Sequence, residues 1–170
     1  YTANGHDQGR RANHSPNAAP HGVYRCRGED RWCAIAVCSQ GEWPVLGGTL
    51  RLPWASDRRF ATLEGRKENE EELDRLVQAW TVERTAEEVM AQLQQAGVAA
   101  GIVQTPADLL ERDPQLKFRE AFPKLRHSEM GLVCHRSPPF RLSRTPAQLR
   151  PAPCLGEHTE LVCRQLLGMS

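Results

Sequence analysis

Val23-Tyr24-Arg25-Cys26 and Trp32-Cys33-Ala34-Ile35-Ala36-Val37 flank the polar stretch Arg27-Gly28-Glu29-Asp30. Two runs rich in apolar, β-branched and aromatic residues, divided by a Gly-containing turn, predict a β-hairpin. The second run is almost wholly apolar, which predicts a central strand covered on both faces. Upstream, residues 1–20 are polar and rich in Gly, Asn, Arg and Pro, without periodicity. That composition predicts a linker or an ordered loop.

Downstream of the hairpin, Ser39-Gln40-Gly41-Glu42 has the form of a capping box. It predicts a short helix through Leu46, stopped by Gly47-Gly48. Residues 50–59 read as irregular. Asn69 with Glu72 predicts another N-cap, followed by Leu73, Leu76, Val77 and Trp80 on one helical face. Thr85-Ala86-Glu87-Glu88 opens the next helix, with Val89, Leu93 and Ala96 on its apolar face and Gly97 at its end. Residues 98–103 read as a strand. Thr105-Pro106 and Asp113-Pro114 each open a helix with Pro at the first helical position, the latter ending near Glu120.

Beyond residue 121 the pattern changes. Residues 122–125, 132–135 and 140–143 read as strands or extended segments, and residues 145–153 as a Pro-rich extended stretch. A tail helix is expected from Gly156-Glu157-His158-Thr159, with Leu161, Val162, Leu166 and Leu167 on one side. The fold class is therefore α+β: a small antiparallel sheet with flanking helices, then an extended C-terminal segment ending in a helix. The expected division is a linker and loop over 1–21, a small domain over 22–121 and a return segment over 122–170.

Composition bounds the function. The 170 residues carry 22 Lys+Arg against 21 Asp+Glu, a net charge of +1. A nucleic-acid binder held by phosphate contacts would show a basic excess, so no nucleic-acid partner is expected. No run reaches the roughly 18 apolar residues of a membrane span, so no membrane partner is expected either. Of the basic residues, nineteen are Arg and three Lys, read here as surface ion pairing rather than anion recognition. Six cysteines make an even set, yet no CxxC pair occurs and no spacing matches a zinc site. Free structural thiols are the expectation, with a disulfide framework as the alternative, and a cytoplasmic location follows. No metal site is expected.

The chain has no phosphate loop, GxSxG, HExxH or dinucleotide-binding glycine fingerprint. The run Glu68-Asn69-Glu70-Glu71-Glu72 reads as a solvated helix start. His158 reads as a first-turn residue, with a catalytic base as the alternative. The candidate site is the Pro-bracketed, small-residue loop Ser15-Pro16-Asn17-Ala18-Ala19-Pro20-His21-Gly22. It reads as an active-site lid that brings backbone N–H groups to a ligand, or as a plain linker.

The order of several short strings carries a resemblance. These include Pro20-His21-Gly22-Val23-Tyr24, Ile35-Ala36-Val37 with Trp43, Asp57-Arg58-Arg59-Phe60-Ala61-Thr62 with Arg66, and Gly97-Val98-Ala99-Ala100-Gly101-Ile102-Val103. Asp113-Pro114-Gln115-Leu116, Pro138-Pro139-Phe140-Arg141-Leu142-Ser143 and Pro151-Ala152-Pro153-Cys154-Leu155-Gly156-Glu157-His158-Thr159 follow. In this order the chain resembles the C-terminal part of the class III CoA-transferases, a family that includes formyl-CoA transferase, carnitine CoA-transferase and alpha-methylacyl-CoA racemase.

The resemblance implies transfer of CoA from an acyl-CoA thioester to a carboxylic acid through an enzyme Asp acyl anhydride. It places the nucleophilic Asp in a preceding α/β domain, so no catalytic residue is expected in this chain. The chain begins Tyr1-Thr2-Ala3-Asn4 without an initiator Met, and an excised fragment, inactive alone, is expected. CoA is a substrate, and no cofactor is implied. Residues 15–22 fall where formyl-CoA transferase carries a glycine-rich loop over its active site. Interlocked homodimers are implied for the longer protein, and self-association through the apolar tail helix is expected of the fragment. Racemases of the family carry a carboxylate at the position matching Ser39, or Cys38 or Gln40 with a shift of one; none is a carboxylate, which favours transferase. The reading from another class is a non-enzymatic binding module that keeps the fold.

Overall fold

The computed structural model describes residues 2–3, 5 and 9–169; the parts of the expected N-terminal linker at residues 1, 4 and 6–8 lie outside them. The chain divides into two compact units, residues 1–103 and 104–170.

In the first unit the hairpin forms as expected. β1 (His21–Arg25) pairs antiparallel with β2 (Trp32–Ala36), with Tyr24 opposite Cys33. Gly28 takes a φ of 115° and Asp30 one of 49°, which turn the chain between the strands. β2 is central because a third strand, β3 (Ala99–Ile102), adds to its other edge, again antiparallel. The expectation that β2 is covered on both faces is corrected. Cys33 and Ile35 are buried, whereas Ala34 between them is exposed. Alternation survives because the residues beside Ala34 are Val23 and Gly101, which build no second layer.

Helices cover the other face. α1 (Glu42–Leu50) runs past Gly47-Gly48 and ends at Arg51 in the left-handed region. The expected stop at the glycines is therefore wrong. Pro44 lies in the first turn, where its missing N–H costs nothing. Ser39 Oγ accepts from Glu42 N at 3.3 Å and the Glu42 carboxylate accepts from Cys38 N and Ser39 N, reciprocal bonds that fold the turn before α1, whose N-cap is Gly41 without a side-chain bond. The stretch after α1 holds two 3₁₀ turns, Pro53–Ser56 and Arg58–Phe60. They deliver Trp54 and Phe60 edge-on to one another beside Trp43.

α2 (Leu63–Glu68) is absent from the sequence reading. Asn69 stands at the N-cap of the next helix as expected, but its side chain makes no cap bond there and instead donates to Gly65 O, closing α2. Glu72 pairs with Arg59 at 2.8 Å. α3 (Glu70–Thr81) buries Leu73, Val77 and Thr81 and half-buries Leu76 and Trp80. α4 (Ala86–Gln95) has the expected capping box, Thr85 with Glu88, and buries Val89 and Leu93. The core is thus Tyr24, Ile35, Val37, Trp43, Phe60, Leu73, Val77 and their neighbours between sheet and helices.

The second unit starts with two short helices, α5 (Pro106–Glu111) and α6 (Pro114–Phe118), capped by Thr105 and Asp113. β4 (Lys124–His127) and β5 (Gly131–Cys134) form a hairpin. Its turn is held by His127 Nδ1, which accepts from Glu129 N and Met130 N. Residues 140–143, expected as a strand or an extended segment, form no strand. Instead, Ser137 N and Oγ bond to Ala121 O and Glu120 O, and Arg141 reaches Glu120 and Arg119 O. The tail ends in a π-helical segment, Leu161–Leu166. Leu166 and Leu167 on it are 71% and 64% exposed. Small antiparallel sheets with flanking helices make the chain α+β.

Candidate functional site

The loop of residues 15–22 is built from its two ends inward. Ser15 bridges to Ala18, and Ser15 Oγ accepts from Asn17 N at 3.2 Å, which closes a tight turn. Pro16 and Asn17 at its tip are exposed. Ala18, Ala19 and Pro20 are buried, and the Ala19–Pro20 peptide is cis. Pro20 O accepts from Val37 N at 2.9 Å, tying the loop to the end of β2. His21 and Gly22 are the first residues of β1, half-buried. His21 Nδ1 lies 2.6 Å from Asn13 O; a carbonyl only accepts, so Nδ1 carries the proton.

α2 holds the loop from below. Lys67 Nζ donates to Ser15 O at 2.8 Å, and Arg66 Nε donates to Ala19 O at 2.7 Å. α3 holds the segment just before it. His14 Nδ1 is 3.1 Å from Glu70 and its Nε2 3.7 Å from Asp74. Tyr24 Oη donates to Asp74 at 2.6 Å. Burial pushes the Asp74 carboxyl above the usual carboxylate range, against the opposing Tyr24 bond. Burial acts in the same direction on Glu70, but bonds from Lys67 and His14 outweigh it and hold Glu70 low. Burial, with Asp74 beside it, keeps the Tyr24 phenol protonated far above its ordinary range.

Two open clefts flank this network. One, of about 340 Å³, lies between His14, Tyr24, Asp74 and Gln78. The other, of about 500 Å³, lies over the free face of the sheet, floored by Ala34, Ala36, Ala99 and Gly101 and edged by His14 and His21. In the second unit a cavity of about 950 Å³ is lined by Leu116, Phe122, Phe140, Leu142 and Leu149, with Arg119 among them.

The structure thus keeps residues 15–22 together as one folded loop whose backbone is largely engaged within the protein. His158 is exposed on the second unit. Ser39 bonds Glu42 in the turn before α1, while Gln40 accepts from Arg66 and donates to Ala61 O. Sequence reasoning missed the His14, Lys67, Glu70, Asp74 network because it read the acidic run as solvated. Glu70 and Asp74, four apart on one face of α3, were the available signal; Lys67 comes from the separate helix α2. All six cysteines are free. Among the described residues no His, Cys, Asp and Glu group is suited to a metal ion, and no helix is long and apolar enough to cross a membrane.

Residues 1–159 match the model of CoA-transferase family III. A probable CoA-transferase of Mycobacterium tuberculosis is 40% identical over 159 residues, covering 91% of this chain and 20% of that protein. The succinyl-CoA–D-citramalate CoA-transferase of Chloroflexus aurantiacus is 31% identical over 172 residues, covering 100% of this chain and 42% of that protein. The crystal structure of a CAIB/BAIF family protein from Brucella suis superposes with a TM-score of 0.83 at 29% identity, over 98% of this chain and 42% of that one. The chain therefore spans less than half the length of these relatives. On the match over residues 1–159 and the shared α+β fold, this chain belongs to CoA-transferase family III.

Proposed function

We propose that this chain is the C-terminal portion of a cytoplasmic CoA-transferase that moves CoA from an acyl-CoA thioester to a carboxylic acid. The family match over residues 1–159 is the observation that carries this reading. In the proposed chemistry an Asp carboxylate of a preceding α/β domain attacks the thioester carbonyl. The C–S bond breaks, CoA leaves as thiolate, and an enzyme acyl anhydride remains. The thiolate then attacks the aspartyl carbonyl, and the donor acyl group leaves as its carboxylate. The acceptor carboxylate displaces CoA from this aspartyl thioester to form a second anhydride, and the thiolate attacks its acceptor carbonyl, giving the new thioester and the free Asp. The chain's own part is to present the tip of residues 15–22, with Pro16 and Asn17 exposed, beside the reacting groups. The named relative that uses succinyl-CoA and D-citramalate supports a polar carboxylic acid as acceptor. Neither Ser39 nor its neighbours Cys38 and Gln40 is a carboxylate, and Ser39 and Gln40 are engaged with Glu42 and Arg66, which supports transferase over racemase. The longer protein is read as an interlocked homodimer.

The test is a mass-spectrometric assay of the protein from the whole reading frame, with succinyl-CoA and isotope-labelled acids. Label appearing in a new CoA thioester supports the reading. Exchange of the α-proton of a branched acyl-CoA without CoA transfer overturns it in favour of a racemase. CoA transfer by the 170-residue chain alone overturns the placement of the nucleophile outside it.

A further inference from the structure

Arg66 is 1% exposed, and each of its guanidinium nitrogens donates to a neutral oxygen. Nε bonds Ala19 O at 2.7 Å, Nη1 bonds Phe60 O at 3.1 Å and Nη2 bonds Gln40 Oε1 at 3.2 Å. Its carbon lies 4.8 Å from the Trp43 ring centroid. No carboxylate is hydrogen-bonded to it, Glu64 acting only at a distance, so its burial is costly, and an apolar side chain of like volume is often the more stable choice at such a site. The three acceptors come from three separate segments: the loop, the second 3₁₀ turn and the turn after β2. Only a planar fork satisfies all three at once; the single ammonium of Lys cannot. One residue on, Lys67 bonds Ser15 O, so α2 grips both sides of the exposed tip.

We propose that Arg66, seconded by Lys67, is a positioning residue that makes residues 15–19 a fixed platform for the substrate rather than a lid that opens. The function of the platform rests on the CoA-transferase reading; its rigidity does not. Arg66 touches no reacting atom and acts through Ala19 and Gln40, which it registers to one another.

Amide exchange on the 170-residue chain tests this, with Arg66→Met, Arg66→Lys and Lys67→Met. Arg66→Met is expected to speed exchange at Asn17, Ala18 and Val37 by about tenfold or more, relative to Ile35 in β2. Arg66→Lys should fail to restore the slow exchange, because charge without the fork cannot hold the junction. Lys67→Met, at a half-exposed site, should speed Asn17 alone and keeps the test decisive where Arg66→Met does not fold. Slow exchange retained in Lys67→Met, or restored by Arg66→Lys, overturns the proposal. In the whole-reading-frame protein, Arg66→Lys is expected to lower kcat more than it raises KM. Absence of CoA transfer by the unsubstituted protein would refute the transferase reading while leaving the exchange result standing.

Discussion

Gly47 and Gly48 are adjacent residues of α1 that separate two opposing effects of the same substitution. Replacing a helical Gly by Ala removes backbone freedom from the unfolded chain and favours the helix by up to about 1 kcal/mol. At Gly48 an added Cβ meets no atom within 4 Å, so Gly48→Ala should realise most of that gain. At Gly47 the same Cβ falls 2.5 Å from Ala55 Cβ, on the first 3₁₀ turn. Carbon atoms pack at about 3.5–4.0 Å, so the turn must retreat by about 1 Å or more. Ala55 has no flexible end to swing aside, and the turn carries Trp54, which packs tilted against Trp43 and edge-on against Phe60. Overpacking of this kind costs about 1–3 kcal/mol. The propensity gain is common to both variants and cancels in their difference. Gly48→Ala should therefore exceed Gly47→Ala in unfolding free energy by about 1–3 kcal/mol, with Gly47→Ala at or below the parent. Urea denaturation followed by circular dichroism measures both. Equal stability of the two variants, or a more stable Gly47→Ala, would refute the close approach of α1 to the turn.

Carboxyl titration by NMR should find Asp74 above the ordinary Asp value and Glu70 below the ordinary Glu value. Glu70, held low, contributes stability that is present above its unfolded pKa and lost as pH falls through its folded one; Asp74, pushed up, contributes most below its unfolded pKa and loses this as pH rises through its folded one. Finding Asp74 at or below its ordinary value, or Glu70 at or above its own, would count against the network. Native alkylation should modify the exposed Cys38 and Cys134 first. Cys33, whose thiol burial pushes up to about 12, should react only after unfolding, and mass mapping of early adducts at Cys33 would contradict its placement. Sedimentation over a dilution series should show self-association of the isolated chain, weakened in Leu166→Ala. A lone monomer that binds no hydrophobic dye, with stability unchanged by Leu166→Ala, would speak for a tail without a partner.

Local chemistry was legible from the sequence wherever a few neighbouring residues settle the backbone. The hairpin from residues 21 to 36 follows from two apolar runs and one turn, and α4 from Thr85 with Glu88. The proline-led helices α5 and α6 follow from Thr105 and Asp113 beside them. The ordered series of short strings was also enough to point to the family. What the sequence misread depended on partners far along the chain. Gly47 reads as a breaker because its use, the approach of Ala55, is visible only in three dimensions. The helix α2 goes unread because it is only six residues long, so its cap Thr62 stands without a long apolar face after it, and Asn69 shows only its second role, the N-cap of α3. Ala34 reads as buried because hydrophobicity alone does not say whether a layer lies above it. The placement of residues 15–22 belongs wholly to the tertiary structure. Nothing local requires that Ala19 O find Arg66, 47 residues away, or that Lys67 lie under Ser15. Those bonds exist because burying a backbone carbonyl demands a donor, and folding brought α2 close enough to supply it.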